Sequence, residues 1–234
     1  MKSALDQYWD DERRLTAFHE AGHASIFWFF QQRNFLHGVN MVGDERVDGF
    51  VRQSTITPLG YISGVVQTNP QRAEALATMV SMHALAGLCA EGIFGATDYP
   101  HDNLEWFQIP IDEIEIDNSL LEVAQSFEMG DLPQATRPAF ELHGPNEPKI
   151  RAHLIKAARW TESALKFARM EQVVSSLAIE LIPVCEAAGE MSGDTAWELM
   201  TAAWGNLKAL PLYSKPWNRR FEALKSERWW QLPD

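Results

Sequence analysis

The sequence has 234 residues, enough to bury a hydrophobic core as one or two domains. Hydrophobic residues make up 46% of the chain and charged residues 22%, a composition typical of folded globular proteins. The 32 acidic and 20 basic residues give a formal net charge of −12, and no sizeable basic patch is present. Because nucleic acids and anionic membranes attract basic surfaces, this charge argues against binding to either.

The N-terminal segment MKSALDQYWDDERR lacks the apolar stretch of a signal peptide. The apolar run at 24–30 is much shorter than the roughly 20 residues that a membrane-spanning helix needs. Cys89 and Cys185 lie in apolar stretches without a pairing pattern, as buried thiols do in a reducing compartment. We therefore expect a cytoplasmic protein with no membrane span.

In chain order, the first predicted element is a long helix over 10–31, where apolar residues recur every three or four positions. Residues 37–56 alternate between apolar and polar around a Gly-Asp turn and predict a β-hairpin or part of a small sheet. A buried helix is predicted over 70–94, because Asn69 supplies a cap and proline follows at the first helical position.

The second half begins with turn-forming residues. Residues 130–148 hold four of the 12 prolines, which predicts a linker or surface loop over 131–149. The remainder is predicted to be helical, over 149–189 and again from 194. We expect a mainly α fold with a small β-hairpin or sheet, as one domain over 1–234 with three parts: a metal-site core at 11–130, the linker at 131–149 and a C-terminal helical part at 150–234.

The motif with the clearest chemistry is His19-Glu20-Ala21-Gly22-His23, an H-E-x-x-H in the first predicted helix. Residues four apart share a helix face, so both imidazoles can reach one zinc ion at about 2.0–2.1 Å. Glu20 lies beside them, where a carboxylate takes the proton of a zinc-bound water. The alternative is two hydrogen-bonded core histidines, but leaving either one unpaired on a buried face is costly. We therefore predict zinc ligands at His19 and His23 and a general base at Glu20.

The surrounding residues extend this motif into a family resemblance. Residues 15–24, LTAFHEAGHA, resemble the zinc helix of the FtsH family of ATP-dependent zinc proteases, which reads T-A-x-H-E-A-G-H-A. Residues 85–95, LAGLCAEGIFG, resemble the family's L-x-G-R-A-A-E-E-L-I-F-G helix, and residues 191–199 are similar to its short L-x-G-E-E-I segment. Together these stretches cover about residues 11–200 in order. The resemblance implies an FtsH-type helical peptidase domain that binds zinc and hydrolyses peptide bonds.

The resemblance also implies a third zinc ligand, an aspartate that opens a helix after the second of these stretches in a pattern like N-D-x-x-x-A. The best match is Asp117, although its distance to the next alanine departs from the family's. Four other acidic residues nearby remain alternatives: Asp98, Asp102, Asp112 and Glu115.

Two residues of the second stretch bear on the site. Glu91 aligns with the family's A-A-E glutamate and is expected to orient His19 or His23 through a hydrogen bond, or else to form an ordinary buried ion pair. Leu88 stands where the family has arginine, so any contact made by that arginine is missing.

The sequence contains no G-x-x-x-x-G-K-[ST] phosphate-binding loop. We therefore expect a zinc metallopeptidase that cuts flexible polypeptides without ATP hydrolysis of its own, with a protein partner or homo-oligomer left open. The alternative is a catalytically inactive FtsH-peptidase-like interaction or adaptor module. The departures at Leu88 and around Asp117 favour that alternative, whereas Glu20 favours catalysis because a scaffold has no need of it. A zinc hydrolase of non-peptide amides is a third possibility.

Overall fold

The computed structural model describes residues 4–41, 50–53, 60–95, 119–125, 130–167 and 169–205, with side chains from residue 13 onward except those of residues 50, 52 and 53. The described part is mainly helical with a small antiparallel sheet, as the sequence predicts. Its α-helices are α1 (Ala4–Phe29), α2 (Tyr61–Thr68), α3 (Pro70–Ala84), α4 (Ala86–Ala90), α5 (Leu120–Gln125), α6 (Asp131–His143), α7 (Glu147–Leu165), α8 (Met170–Ala188) and α9 (Gly193–Trp204). A 3-10 turn spans Arg33–Phe35, and a π-helical turn, Glu91–Gly95, continues α4.

The sheet has three strands in the order β2-β1-β3: β1 (Leu36–Asn40), β2 (Phe50–Gln53) and β3 (Met191–Ser192). Both pairings are antiparallel, with Val39 opposite Val51 on one side and Met191 on the other. The predicted hairpin within 37–56 is therefore confirmed in its two strands. The third strand follows α8 and joins this hairpin to the C-terminal part of the chain.

Helix α1 runs through the centre of the hydrophobic core. Its residues from Ala24 to Phe29 are all buried, and both α8 and α4 pack against it. The Trp28 ring packs at a tilt against Trp204 of α9, with the ring centroids 5.4 Å apart, and its indole N–H donates a hydrogen bond to the Thr201 hydroxyl at 3.0 Å. The motif helix is thus fixed at several points, so the side chains that it presents are held in place.

The helix predicted over 70–94 is present but broken. Its start follows the prediction, since the Asn69 side chain accepts a hydrogen bond from the Arg72 backbone N–H at 3.1 Å. At Leu85 the axis then turns by 57° between Pro70–Ala84 and Ala86–Phe94. The second arm crosses α1 closely, and a Cβ on Gly22 would collide with the Ala86 carbonyl oxygen and lie 2.6 Å from the Ala90 Cβ.

The linker or surface loop predicted over 131–149 is wrong. Residues 131–143 form α6 and α7 begins at Glu147, which leaves only a short connection around Gly144. Pro133 is tolerated because it lies in the first turn, where a backbone N–H has no helical acceptor. Pro138 is buried inside α6. This helix packs against α3, where the Ala135 carbonyl accepts a hydrogen bond from the Ser81 hydroxyl at 2.8 Å. Tertiary packing therefore outweighs the local cost of the prolines.

The single helix predicted over 149–189 is divided into α7 and α8. Pro183 lies inside α8 without ending it. Helix α8 ends instead at Gly189, whose φ of 80° glycine adopts without strain and whose N–H bonds the Cys185 carbonyl. In the described ranges no single helix is long and apolar enough to cross a bilayer, although the bent pair Pro70–Ala84 and Ala86–Phe94 meets the length and composition criteria together.

Candidate metal centre

The two predicted histidine ligands meet on one face of α1. His19 and His23 lie one helical turn apart, and their Nε2 atoms are 3.0 Å from each other. The His23 side chain is buried, whereas that of His19 is about one-fifth exposed, at 21%. The site is therefore open on the His19 side and closed on the His23 side.

A carboxylate from a distant part of the chain completes the cluster. Asp131, the first residue of α6, places Oδ2 3.2 Å from His19 Nε2 and Oδ1 3.4 Å from His23 Nε2. Four ligands at about 2.0–2.1 Å around a tetrahedral zinc ion lie about 3.3–3.4 Å from one another. The distances between these donor atoms therefore approach those of three corners of such a tetrahedron.

Asp131 was not among the predicted ligands. Asp117 and its four alternatives, Asp98, Asp102, Asp112 and Glu115, lie outside the described residues. Within the described ranges, the group whose ligand atoms lie within 4.8 Å of one another is His19, His23 and Asp131. The signal that marks Asp131 in the sequence is Gly130-Asp131 with proline two residues later, a pattern typical of a helix start.

The Nδ1 atoms of both imidazoles face hydrogen-bond acceptors, so each Nδ1 carries a proton. His23 Nδ1–H donates to the backbone carbonyl of His83 at 2.8 Å, and a carbonyl can only accept. His19 Nδ1–H donates to Glu91 Oε1 at 2.5 Å. When each neutral ring carries its proton on Nδ1, both Nε2 atoms face the Asp131 carboxylate with their lone pairs. Either an added proton or a bound cation between these electron-rich groups would relieve their repulsion.

Glu91 makes the contact expected of it, with His19 rather than His23. The break in the helix at Leu85 and the π-helical turn that Glu91 opens set the direction of its side chain. π-Helical turns are rare and occur often at functional sites. The resulting carboxylate–histidine pair fixes the His19 ring and raises its basicity as a ligand.

We expect Glu91→Gln to weaken zinc binding by about 10–100-fold, because the amide keeps an acceptor oxygen but loses the negative charge. The measurement is a zinc titration against a competing chelator. Glu122→Gln on the exposed face of α5 is the control and should leave the affinity unchanged. Equal affinities for Glu91→Gln and the native chain would contradict this role for the Glu91 charge.

The bend at Leu85 supplies the acceptor for His23. In an unbroken helix the His83 carbonyl would bond the N–H four residues later, at Gly87. In the structure the helix bends at Leu85, whose N–H faces the Ser81 and His83 carbonyls, and it restarts beyond this residue as α4. The His83 carbonyl has two lone pairs and also accepts the hydrogen bond from the imidazole of His23.

Glu20, the predicted general base, is almost completely buried, with 3% of its surface exposed. Its Oε2 has no hydrogen-bond partner among the residues that the structure describes. Burial raises the pKa of this carboxyl above its usual range, although the nearby histidines partly oppose the shift. A buried carboxylate oxygen without a donor has the properties required of a group that accepts a proton from a bound water.

The charges of the cluster favour positive charge at its centre. Burial by itself lowers the pKa of His19, but the hydrogen bonds and charges of Asp131 and Glu91 outweigh it and raise that pKa to about 10. Burial raises the pKa of Asp131, yet the two histidines reverse this and hold it well below its usual range. When both rings carry their proton on Nδ1 only, the buried Oδ2 of Asp131 has no donor in the described part of the chain. Two nitrogens and a carboxylate of this kind are a ligand set that fits zinc.

Comparison with known proteins does not assign this chain to a family. No known protein family matches the sequence, and neither does any curated protein.

Proposed function

We propose that the chain is a zinc metallopeptidase that hydrolyses peptide bonds in flexible polypeptides and needs no ATP hydrolysis of its own. The observation that carries this proposal is the convergence of His19 Nε2, His23 Nε2 and the Asp131 carboxylate beside the buried Glu20. The resemblance of residues 15–24 to the FtsH zinc helix supports the peptide substrate, and the missing phosphate-binding loop supports independence from ATP.

The number of ligands favours catalysis over a structural metal site. Structural zinc sites have four protein ligands, whereas catalytic sites have three and leave the fourth position to water or substrate. Three groups converge here in the described part of the chain, and the exposed side of His19 gives a route to solvent. A scaffold protein has no use for a buried Glu20 carboxyl whose Oε2 lacks a donor among the described residues, because this arrangement costs folding free energy.

A zinc ion bound at this site would lower the pKa of a coordinated water to about 7 and polarise the scissile carbonyl. Glu20 then takes one proton from the attacking water as the new C–O bond forms. The same proton passes from Glu20 to the leaving nitrogen as the C–N bond breaks. Burial raises the pKa of Glu20, so this carboxyl is able both to hold the proton and to release it.

The direct test is zinc content and peptide cleavage on the same preparation. We expect about one zinc per chain by elemental analysis, as three converging ligands predict. Cleavage of a fluorescently labelled, unfolded polypeptide should stop when a chelator removes the metal and resume when zinc is added back. A folded protein of high thermal stability serves as the control substrate and should remain intact.

Absence of zinc after reconstitution at neutral pH would contradict the proposal. Zinc without cleavage of any flexible polypeptide would favour the inactive interaction or adaptor module instead. Cleavage that survives complete removal of the metal would place the activity elsewhere in the protein or in a contaminant.

A further inference from the structure

Gly87, in α4, lies directly against the two histidines of the candidate metal centre. It is buried, and a Cβ at this position would lie 2.5 Å from His23 Nε2 and closer still to His19 Nε2. The next nearest atom is Cδ2 of His19, at 2.6 Å. Non-bonded carbon and nitrogen atoms do not approach this closely, so any side chain at residue 87 has to displace both rings.

The two rings have little freedom to move aside. Each is held at its far nitrogen, His19 by Glu91 and His23 by the His83 carbonyl. The His23 ring is also buried, with the His83 ring centroid 5.3 Å away. A displacement that relieves the collision therefore breaks these hydrogen bonds and separates the two Nε2 atoms.

The collision at Gly87 differs in kind from that at Gly22, the other glycine where α1 and α4 cross. A Cβ on Gly22 would meet the Ala86 carbonyl and the Ala90 side chain, so that glycine permits the helices to approach. The three atoms nearest to a Cβ on Gly87 all belong to His19 and His23. Glycine at residue 87 therefore keeps space free for the imidazoles rather than for a helix backbone.

We propose that Gly87 is a positioning residue that keeps the metal seat open, since hydrogen in place of a side chain lets both Nε2 lone pairs reach one ion. An ion about 2.0–2.1 Å from each nitrogen needs the space beside both lone pairs, and a methyl group on residue 87 competes for it. This inference rests on the proposed zinc site but not on the reaction that takes place there.

The test compares Gly87→Ala with Gly64→Ala. Gly64 lies in α2, where an added Cβ meets nothing within 4 Å, so the control makes the same change in a helix without a collision. Zinc affinity is measured by titration against a chelator, and folding by circular dichroism of the metal-free chains. We expect Gly87→Ala to fold and to bind zinc at least about 100-fold more weakly than the native chain. The Gly64→Ala variant should bind zinc as the native chain does.

A folded Gly87→Ala variant with native zinc affinity would overturn the inference. If Gly87→Ala fails to fold, the same change is made in a chain that already carries His19→Ala and His23→Ala. Recovery of folding in that background supports the inference, because removal of the rings removes the collision. Continued failure there overturns it, because Gly87 would then be needed for helix packing.

The same measurements separate this inference from the proposed function. A native chain that binds zinc but cuts no polypeptide would contradict only the proposed function. The inference about Gly87 could still be tested, because the zinc affinity of Gly87→Ala does not depend on cleavage. A native chain that binds no zinc would overturn both.

Discussion

The Glu20→Gln variant is expected to bind zinc like the native chain and to lose peptide cleavage by about 10²–10⁴-fold in kcat. Glutamine has nearly the shape of glutamate and does not disturb His19 or His23, but it cannot take a proton from water. Because burial raises the pKa of Glu20, the native carboxylate is destabilising when ionised, so the Tm of the variant should hold or rise.

The measurements for Glu20→Gln are kcat on an unfolded polypeptide and zinc content of the same sample. Glu180→Gln, on the exposed side of α8, is the matched control and should keep native activity. Native kcat in Glu20→Gln would remove this residue from the mechanism. Loss of zinc from the variant would instead indicate that Glu20 supports the metal.

The second large effect is expected for Asp131→Asn, which should weaken zinc binding by more than about 100-fold. This loss exceeds the one expected for residues that only hydrogen-bond to a metal ligand. Asparagine keeps the shape of Asp131 but removes the negative charge that lies within 3.4 Å of both Nε2 atoms. Peptide cleavage should fall with zinc occupancy and recover in part at high zinc concentration.

Asp117→Asn is the comparison that decides between the two aspartates. The sequence pointed to Asp117 as third ligand, and the structure brings Asp131 to the histidines. We expect Asp117→Asn to retain zinc. The reverse pattern, with zinc kept in Asp131→Asn and lost in Asp117→Asn, would return the role to Asp117. Loss in both variants would indicate that both carboxylates bind the ion.

The part of the site predictable from sequence is the part set by local spacing. His19, Glu20 and His23 share one helix, so the 3.6-residue period alone brings the two imidazoles together. Glu91 is 72 residues from His19, and only the likeness to a known motif singled it out. A hydrogen bond at that separation depends on how α4 crosses α1, and no local pattern specifies a crossing.

The segment that begins at Asp131 shows where the structure predicted from the sequence was wrong, and why. This segment holds prolines at 133 and 138 and was predicted to be a linker, because turn-forming residues outweighed the helix signals. Yet Asp131 opens α6, and an aspartate at a helix start is what the FtsH resemblance implied for the third ligand. The packing of α6 against α3 decides the conformation, and such long-range burial leaves little trace in the local sequence.

The two histidines differ in how easily mutation can remove their support. Glu91 supports His19 through a side chain, so a single codon change can abolish that contact. His23 is supported by a main-chain oxygen, which every amino acid at residue 83 would supply. As long as the bend at Leu85 persists, this hydrogen bond is independent of residue identity. In relatives of this protein, the hydrogen bond to His23 should therefore place no restriction on the side chain at residue 83. The contact with His19 should restrict residue 91.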